Sequence, residues 1–173
     1  DDVTFSSHFD NGNLARVERV GTHNFKIWTA PDNMGTPHQS KHCAWFHFYV
    51  SGLPMGCVIR IQVVNASNHG GLYKHDMRPV YRSNTTNNKW CRIKSSVRFS
   101  KEAGETPQMF FEHGVDGKEE KLFFCFTYPY TYTMVCNELD AIDETHVNNY
   151  DNADSMYYKR ELVTNSGDGR RID

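Results

Sequence analysis

The stretch Phe123-Phe-Cys-Phe-Thr-Tyr-Pro-Tyr-Thr-Tyr-Thr133 decides how this chain is read. Its first half is dense in Phe and Thr around Cys125, the composition of a strand that packs on a core. Pro129 has no backbone N–H to give to a ladder, so the strand ends there or lies at an edge. Past the corner, Val135, Leu139 and Ile142 recur at spacings of four and three, which predicts a helix over 134–144. A strand that breaks on Tyr-Pro-Tyr and feeds a helix is a specific corner. It names no chemistry by itself.

Outward from the corner, period-two alternation dominates. In Ala44-Trp-Phe-His-Phe-Tyr-Val50, Ala44, Phe46, Phe48 and Val50 share one face and Trp45, His47 and Tyr49 the other. Cys57–Val64 follows after the turn cluster Gly52-Leu-Pro-Met-Gly56. Further strands are expected at Leu14–Val20, Phe25–Trp28, Val80–Ser83, Trp90–Lys94, Gln108–Glu112, Leu122–Thr127 and Met156–Thr164. Gly167-Asp-Gly169 reads as a hairpin turn into a return strand at Arg170–Asp173, short enough to be expected to continue past Asp173. The segments 67–76 and 143–155 read as loops, apart from a turn of helix near Leu72. The pattern predicts a mainly all-β, single-domain chain over 1–173. Nine or ten short strands would form an antiparallel, jelly-roll-like sandwich, with one short helix near 134–144.

A chain of 173 residues fits one domain. Apolar content is only 38% and mean hydropathy −0.67, so the aromatics, at 13%, must fill much of the core. Net charge is −2, which offers no global field for nucleic acid, and no apolar run is long enough to span a membrane. The cysteines (Cys43, Cys57, Cys91, Cys125 and Cys136) are scattered singly and odd in number, which points to reduced thiols and a cytoplasmic protein. The sequons at Asn65 and Asn84 are read as chance.

Metal chemistry finds little purchase. His38, His42, Cys43 and His47 gather soft ligands within ten residues, but a strand offers them no fourth ligand and no supporting carboxylate. They are read as a polar loop running into a strand. No nucleotide-binding glycine loop or nucleophile elbow occurs. No residue is assigned a catalytic or metal-binding role.

Charge is uneven. Between Met77 and Lys101 the chain carries Arg78, Arg82, Lys89, Arg92, Lys94, Arg98 and Lys101 and no acid; between Asn137 and Met156 it carries six acids and no Lys or Arg. Alternation puts Trp90, Arg92 and Lys94 on one face, which is either a solvated strand surface or an attractor for an acidic partner. Tyr128, Pro129, Tyr130 and Tyr132 likewise have two readings. Their hydroxyls pin the strand end to the helix, or the corner docks a second domain.

Three segments in order, Phe9-Asp-Asn-Gly-Asn-Leu-Ala-Arg-Val-Glu18, Leu72-Tyr73 with Met77-Arg-Pro79, and Tyr128-Pro-Tyr-Thr-Tyr-Thr133, resemble the N-terminal domain of the cytosolic carboxypeptidases. The tail, Tyr157-Tyr-Lys-Arg-Glu-Leu162 and Asp168-Gly-Arg-Arg-Ile-Asp173, is most similar to the subgroup that removes branch-point glutamates. The chain departs from the family at Asn11, where Ser is usual, and at Asp76, where Gly is usual; both replacements visit positive φ readily. The resemblance implies a non-catalytic accessory domain followed, after residue 173, by a zinc carboxypeptidase domain. The paired His-x-x-Glu and distant His of that zinc site are not in this chain. Implied partners are the catalytic domain itself and glutamate-rich tails such as those of tubulin, with Arg78, Arg82, Lys89, Arg92, Lys94 and Arg98 drawing the tail in. Two rivals stand beside it: a carbohydrate-binding sandwich, and a single-strand nucleic-acid binder on the basic, Trp-bearing strand.

Overall fold

The computed structural model describes residues 2–67, 70–101, 104–118, 120–147 and 158–173. Two compact units emerge, one running to Pro129 and one from Tyr130.

The first unit is a sandwich of two five-stranded sheets. One sheet holds β1 (Thr4–Ser6), β4 (His47–Ser51), β10 (Leu122–Cys125), β6 (Val80–Arg82) and β7 (Cys91–Arg92), in that spatial order. The other holds β2 (Arg16–Arg19), β3 (Asn24–Trp28), β5 (Val58–Val63), β9 (Gln108–Gly114) and β8 (Arg98–Ser100). Pairing is antiparallel except between β3 and β5. The chain leaves the second sheet after β3, forms β4 in the first, and returns, so β5 arrives running in the same direction as β3. A short helix α1 (Gly70–Lys74) and a 3-10 turn (Asn84–Thr86) fill connections.

Alternation sets what faces inward. Phe25, Ile27, Ile59, Ile61, Val63, Met109 and Phe111 from one sheet meet Phe46, Phe48, Val50, Leu122 and Phe124 from the other. Phe46 stacks on Phe111 at 5.9 Å, and Phe124 closes on both Phe48 and Phe111 at under 6 Å. The lean composition is thus met by rings, each burying a large area. Truncating Phe124, which is fully buried, is expected to destabilise by about 3–5 kcal/mol in chemical denaturation.

The segment Phe9–Asn13 is the joint that sets the sandwich's opening turns. Asn11 adopts φ 67°, and its carbonyl accepts from the Trp45 indole at 2.9 Å. Asn13 clamps Ala30 with both amide atoms, at 2.8 and 3.0 Å, and bridges to His47 through its backbone. Asp76 also sits at positive φ, 61°. Both departures from the family pattern thus occupy turn conformations that suit Asn and Asp.

Asn65 does for β3 what a strand neighbour would. Its side chain accepts from the Thr29 N–H at 2.9 Å and donates to the Thr29 carbonyl at 2.8 Å. An amide so engaged is no glycan acceptor, in keeping with the sequon being chance.

The second unit contains α2 (Tyr132–Val147) and the hairpin of β11 (Thr164–Asn165) and β12 (Arg171–Ile172). Thr131 caps the helix, accepting the Met134 N–H on its hydroxyl at 3.2 Å. The helix therefore begins two residues before, and ends three after, the span read from apolar spacing. The strand expected at Met156–Thr164 reduces to β11 among the described residues, with Met156 and Tyr157 outside them. β11 and β12 match in length, so the mismatch behind an expected continuation past Asp173 is not present there. Two strands also escaped the sequence reading: β1 and β8, each three residues long.

Candidate functional site

Within the first unit, the outer face of the first sheet carries a satellite cluster. His47, read as an outward residue, is only 3% exposed. Phe9, Trp45, Trp90 and Phe123 ring it with centroids 4.7–6.4 Å away. Neither of its nitrogens has a hydrogen-bond partner among the described residues. Burial pushes its pKa down to about 4; the nearby Asn11 carbonyl, which accepts from Trp45, pulls the other way, and the Arg82 charge lowers it further. Arg82 lies over Trp90 at 5.0 Å and Phe123 at 4.7 Å, with its Nε buried and unpartnered. His38 and His42 are exposed, far in character from His47, and no group of three His, Cys, Asp or Glu among the described residues is placed to hold a metal ion.

The basic stretch does not form one face. Arg78, Arg92 and Lys94 are brought together: Arg78 pairs with Asp76 at 2.7 Å and donates to the Lys94 carbonyl, and Arg92 donates to the Arg78 carbonyl at 3.3 Å. Arg92 also lies 5.7 Å from the Tyr128 ring. Trp90, expected beside Arg92 and Lys94, is instead half-buried against His47. Lys89 is exposed after the 3-10 turn, and Arg98 belongs to the other sheet.

At the corner, Tyr128 and Tyr130 are 51% and 55% exposed. The Tyr130 hydroxyl donates to Glu138 on α2, and this bond raises its pKa. The Tyr132 hydroxyl donates to the Arg171 carbonyl at 3.3 Å, and Arg170 covers its ring at 5.2 Å. Two of the three tyrosines thus pin local structure. Arg160 ties the second unit together, binding Asp140, Asp143 and Asp173 at 2.6–2.8 Å.

The outer face of the second sheet holds a cleft of about 610 Å³, lined by Asn24, Arg60, Gln62, Ser96, Arg98 and Phe110 among others. Sequence reading missed it, since its residues come from separate strands; the polar half of the Cys57–Val64 alternation was the available signal.

Residues 5–123 match the family of the cytosolic carboxypeptidase N-terminal domain. The chain belongs to that family. It is 32% identical to mouse cytosolic carboxypeptidase-like protein 5 over 99% of its own length but 22% of the relative's. Mouse cytosolic carboxypeptidase 3 is 27% identical over 84% of the chain and 15% of the relative. The chain therefore spans less than a quarter of these relatives. A crystal structure of a putative carboxypeptidase A from Shewanella denitrificans superposes with TM-score 0.66 at 19% identity, covering 98% of this domain and 38% of that chain. A metallo-carboxypeptidase from Pseudomonas aeruginosa gives 0.60 at 18% identity, over 82% and 34%. The mainly β sandwich is the fold of this N-terminal domain.

Proposed function

We propose that this domain is the non-catalytic N-terminal part of a cytoplasmic zinc metallocarboxypeptidase that removes glutamates from acidic protein tails, tubulin's among them. There it braces the catalytic domain and borders its substrate funnel. The observation that carries the reading is the family match, in a chain that spans 22% of mouse cytosolic carboxypeptidase-like protein 5. Zinc, bound by a following domain, would supply the activated water; no residue described here fits it.

This domain's own contribution is contact and charge. The exposed ring of Tyr128 in the first unit and that of Tyr130 in the second each offer apolar area for the catalytic domain, next in sequence to Pro129; Tyr132 is held within the second unit by the Arg171 carbonyl. Arg78, Arg92 and Lys94, with Arg82, Lys89 and Arg98 on other surfaces, set a positive field that favours encounter with glutamate-rich tails. On the outer face of the second sheet a sugar-binding reading loses ground, because Arg98 lies over Phe110 at 5.4 Å and Arg16 over Trp28 at 4.4 Å.

The test is kinetic, in the full-length protein. Arg92→Glu with Lys94→Glu is expected to raise KM for a polyglutamate tail several-fold with kcat held, and the effect should shrink with added salt. A short peptide with neutral flanks should respond less. Equal effects on both substrates, or none, remove the electrostatic role; no release of glutamate by the full-length protein removes the deglutamylase reading. The 173-residue chain alone should retain no stoichiometric zinc after chelation, zinc addition and desalting. One tightly held zinc per chain would restore the His38–His47 cluster as a site.

A further inference from the structure

The outer face of the second sheet carries Lys26, Arg60 and Arg98 together with the carboxylates of Glu18 and Glu112. Register places Lys26, Gln62, Phe110 and Arg98 in one row across β3, β5, β9 and β8. Asn24, Arg60 and Glu112 form the adjoining row. Arg60 is held by Glu112 at 3.2 Å, which leaves its terminal nitrogens free to turn into the cleft. Arg98 lies over the Phe110 ring at 5.4 Å, and no group among the described residues accepts a hydrogen bond from it. Lys26, in the same row, has no carboxylate partner among them either. A guanidinium held by its face against a ring keeps its N–H edge free, and that planar fork matches a carboxylate.

We infer that this cleft binds an extended acidic peptide running across the strands, with carboxylates on Arg98 and Arg60 in the cleft and on Lys26 beyond its edge, in the same row as Gln62. The distance suits it. Three strand spacings separate Lys26 from Arg98, about 14 Å, the reach of roughly five extended residues. Gln62, paired with Gln108 at 2.7 Å, and Asn24 supply amides for the backbone between. The site stands on its own geometry. Only the identity of the peptide as a glutamate-rich tail rests on the function proposed above.

Fluorescence anisotropy of a labelled hexaglutamate peptide with the 173-residue chain tests it. Binding at low salt is expected, at least tenfold weaker for Arg98→Gln and several-fold weaker for Lys26→Gln, and unchanged for Lys121→Gln on the other sheet. Amide shifts in the labelled protein should concentrate at Gln62, Phe110 and Arg98, a readout that needs no variant to fold. Hexaglutamine should not bind. No binding at millimolar peptide, equal loss in Lys121→Gln, or shifts centred elsewhere would overturn the site. So would a uridine hexanucleotide or tripolyphosphate binding as tightly and depending equally on Arg98, since that describes a general polyanion surface. Failure of the deglutamylase reading shows instead in full-length turnover, and leaves binding at this cleft untouched.

Discussion

The domain is expected to lose stability steeply as pH falls from 6.5 to 4, before its carboxylates fail. Two imidazoles drive this. His47 and His113 both have their pKa lowered from 6.5 to about 4, with burial as the main cause. For His47 the Arg82 charge adds to burial; for His113, Asp116 opposes it and Lys94 adds to it. A buried imidazole that resists protonation contributes stability that is full above the unfolded pKa and is lost as pH falls through 6.5 toward the folded value. A gap of this size corresponds to roughly 3 kcal/mol for each ring. The acids held by Arg160 and Arg171 act in a lower window. Asp143 and Asp173 lie below the usual carboxylate range, so their contributions persist until more acid conditions. Urea unfolding at half-unit pH steps measures the slope. His47→Phe should remove about half of the acid limb and, because both ring nitrogens lack partners, raise stability at pH 7 by about 1 kcal/mol. His113→Phe should remove most of the remainder. An acid limb unchanged in both variants would rule out burial of these rings as its source.

The fate of His47 also marks the limit of what the chain's pattern conveys. Alternation in Ala44–Val50 correctly sends Phe46, Phe48 and Val50 inward and His47 the other way. The other way proved buried, because Phe9 and Trp90 arrive from distant segments to cover it, and no local pattern encodes that visit. The same reason hides the cleft. Asn24, Arg60 and Arg98, which line it, lie far apart in sequence and meet only through register. Local chemistry was legible where it is local: the Pro129 corner, the positive φ of Asn11 and Asp76, and the Gly167–Gly169 turn. Strands of three residues such as β1 and β8 carry too few alternations to register; tertiary pairing makes them, not propensity.

Replacing Gly12 with Ala is expected to cost at least about 3 kcal/mol, although it adds one methyl at a half-buried surface turn. A Cβ built there would fall 2.0 Å from the Ser7 carbonyl oxygen and 3.0 Å from that of Phe9. Both neighbours are backbone, so no side chain can swing aside; the loop itself must move. That loop already donates the Gly12 N–H to the Phe9 carbonyl at 3.0 Å, and it carries two things the sandwich needs. Phe9 covers His47, and Asn13 satisfies the Ala30 N–H and carbonyl together. Displacing it exposes the satellite cluster and leaves part-buried backbone groups of Ala30 unpaired, each of which costs about 1–3 kcal/mol. Gly35, by contrast, has open space around its would-be Cβ and serves as the control. Its positive φ of 79° makes Gly35→Ala a backbone-strain change alone, expected to cost about 1 kcal/mol. Asn13→Ala should reproduce most of the Gly12→Ala loss without any clash, because it removes the same clamp from Ala30. Chemical denaturation of the three variants separates the causes. A Gly12→Ala protein as stable as Gly35→Ala would mean that the Phe9–Asn13 loop is pliable, and that the clamp at Ala30 survives its displacement.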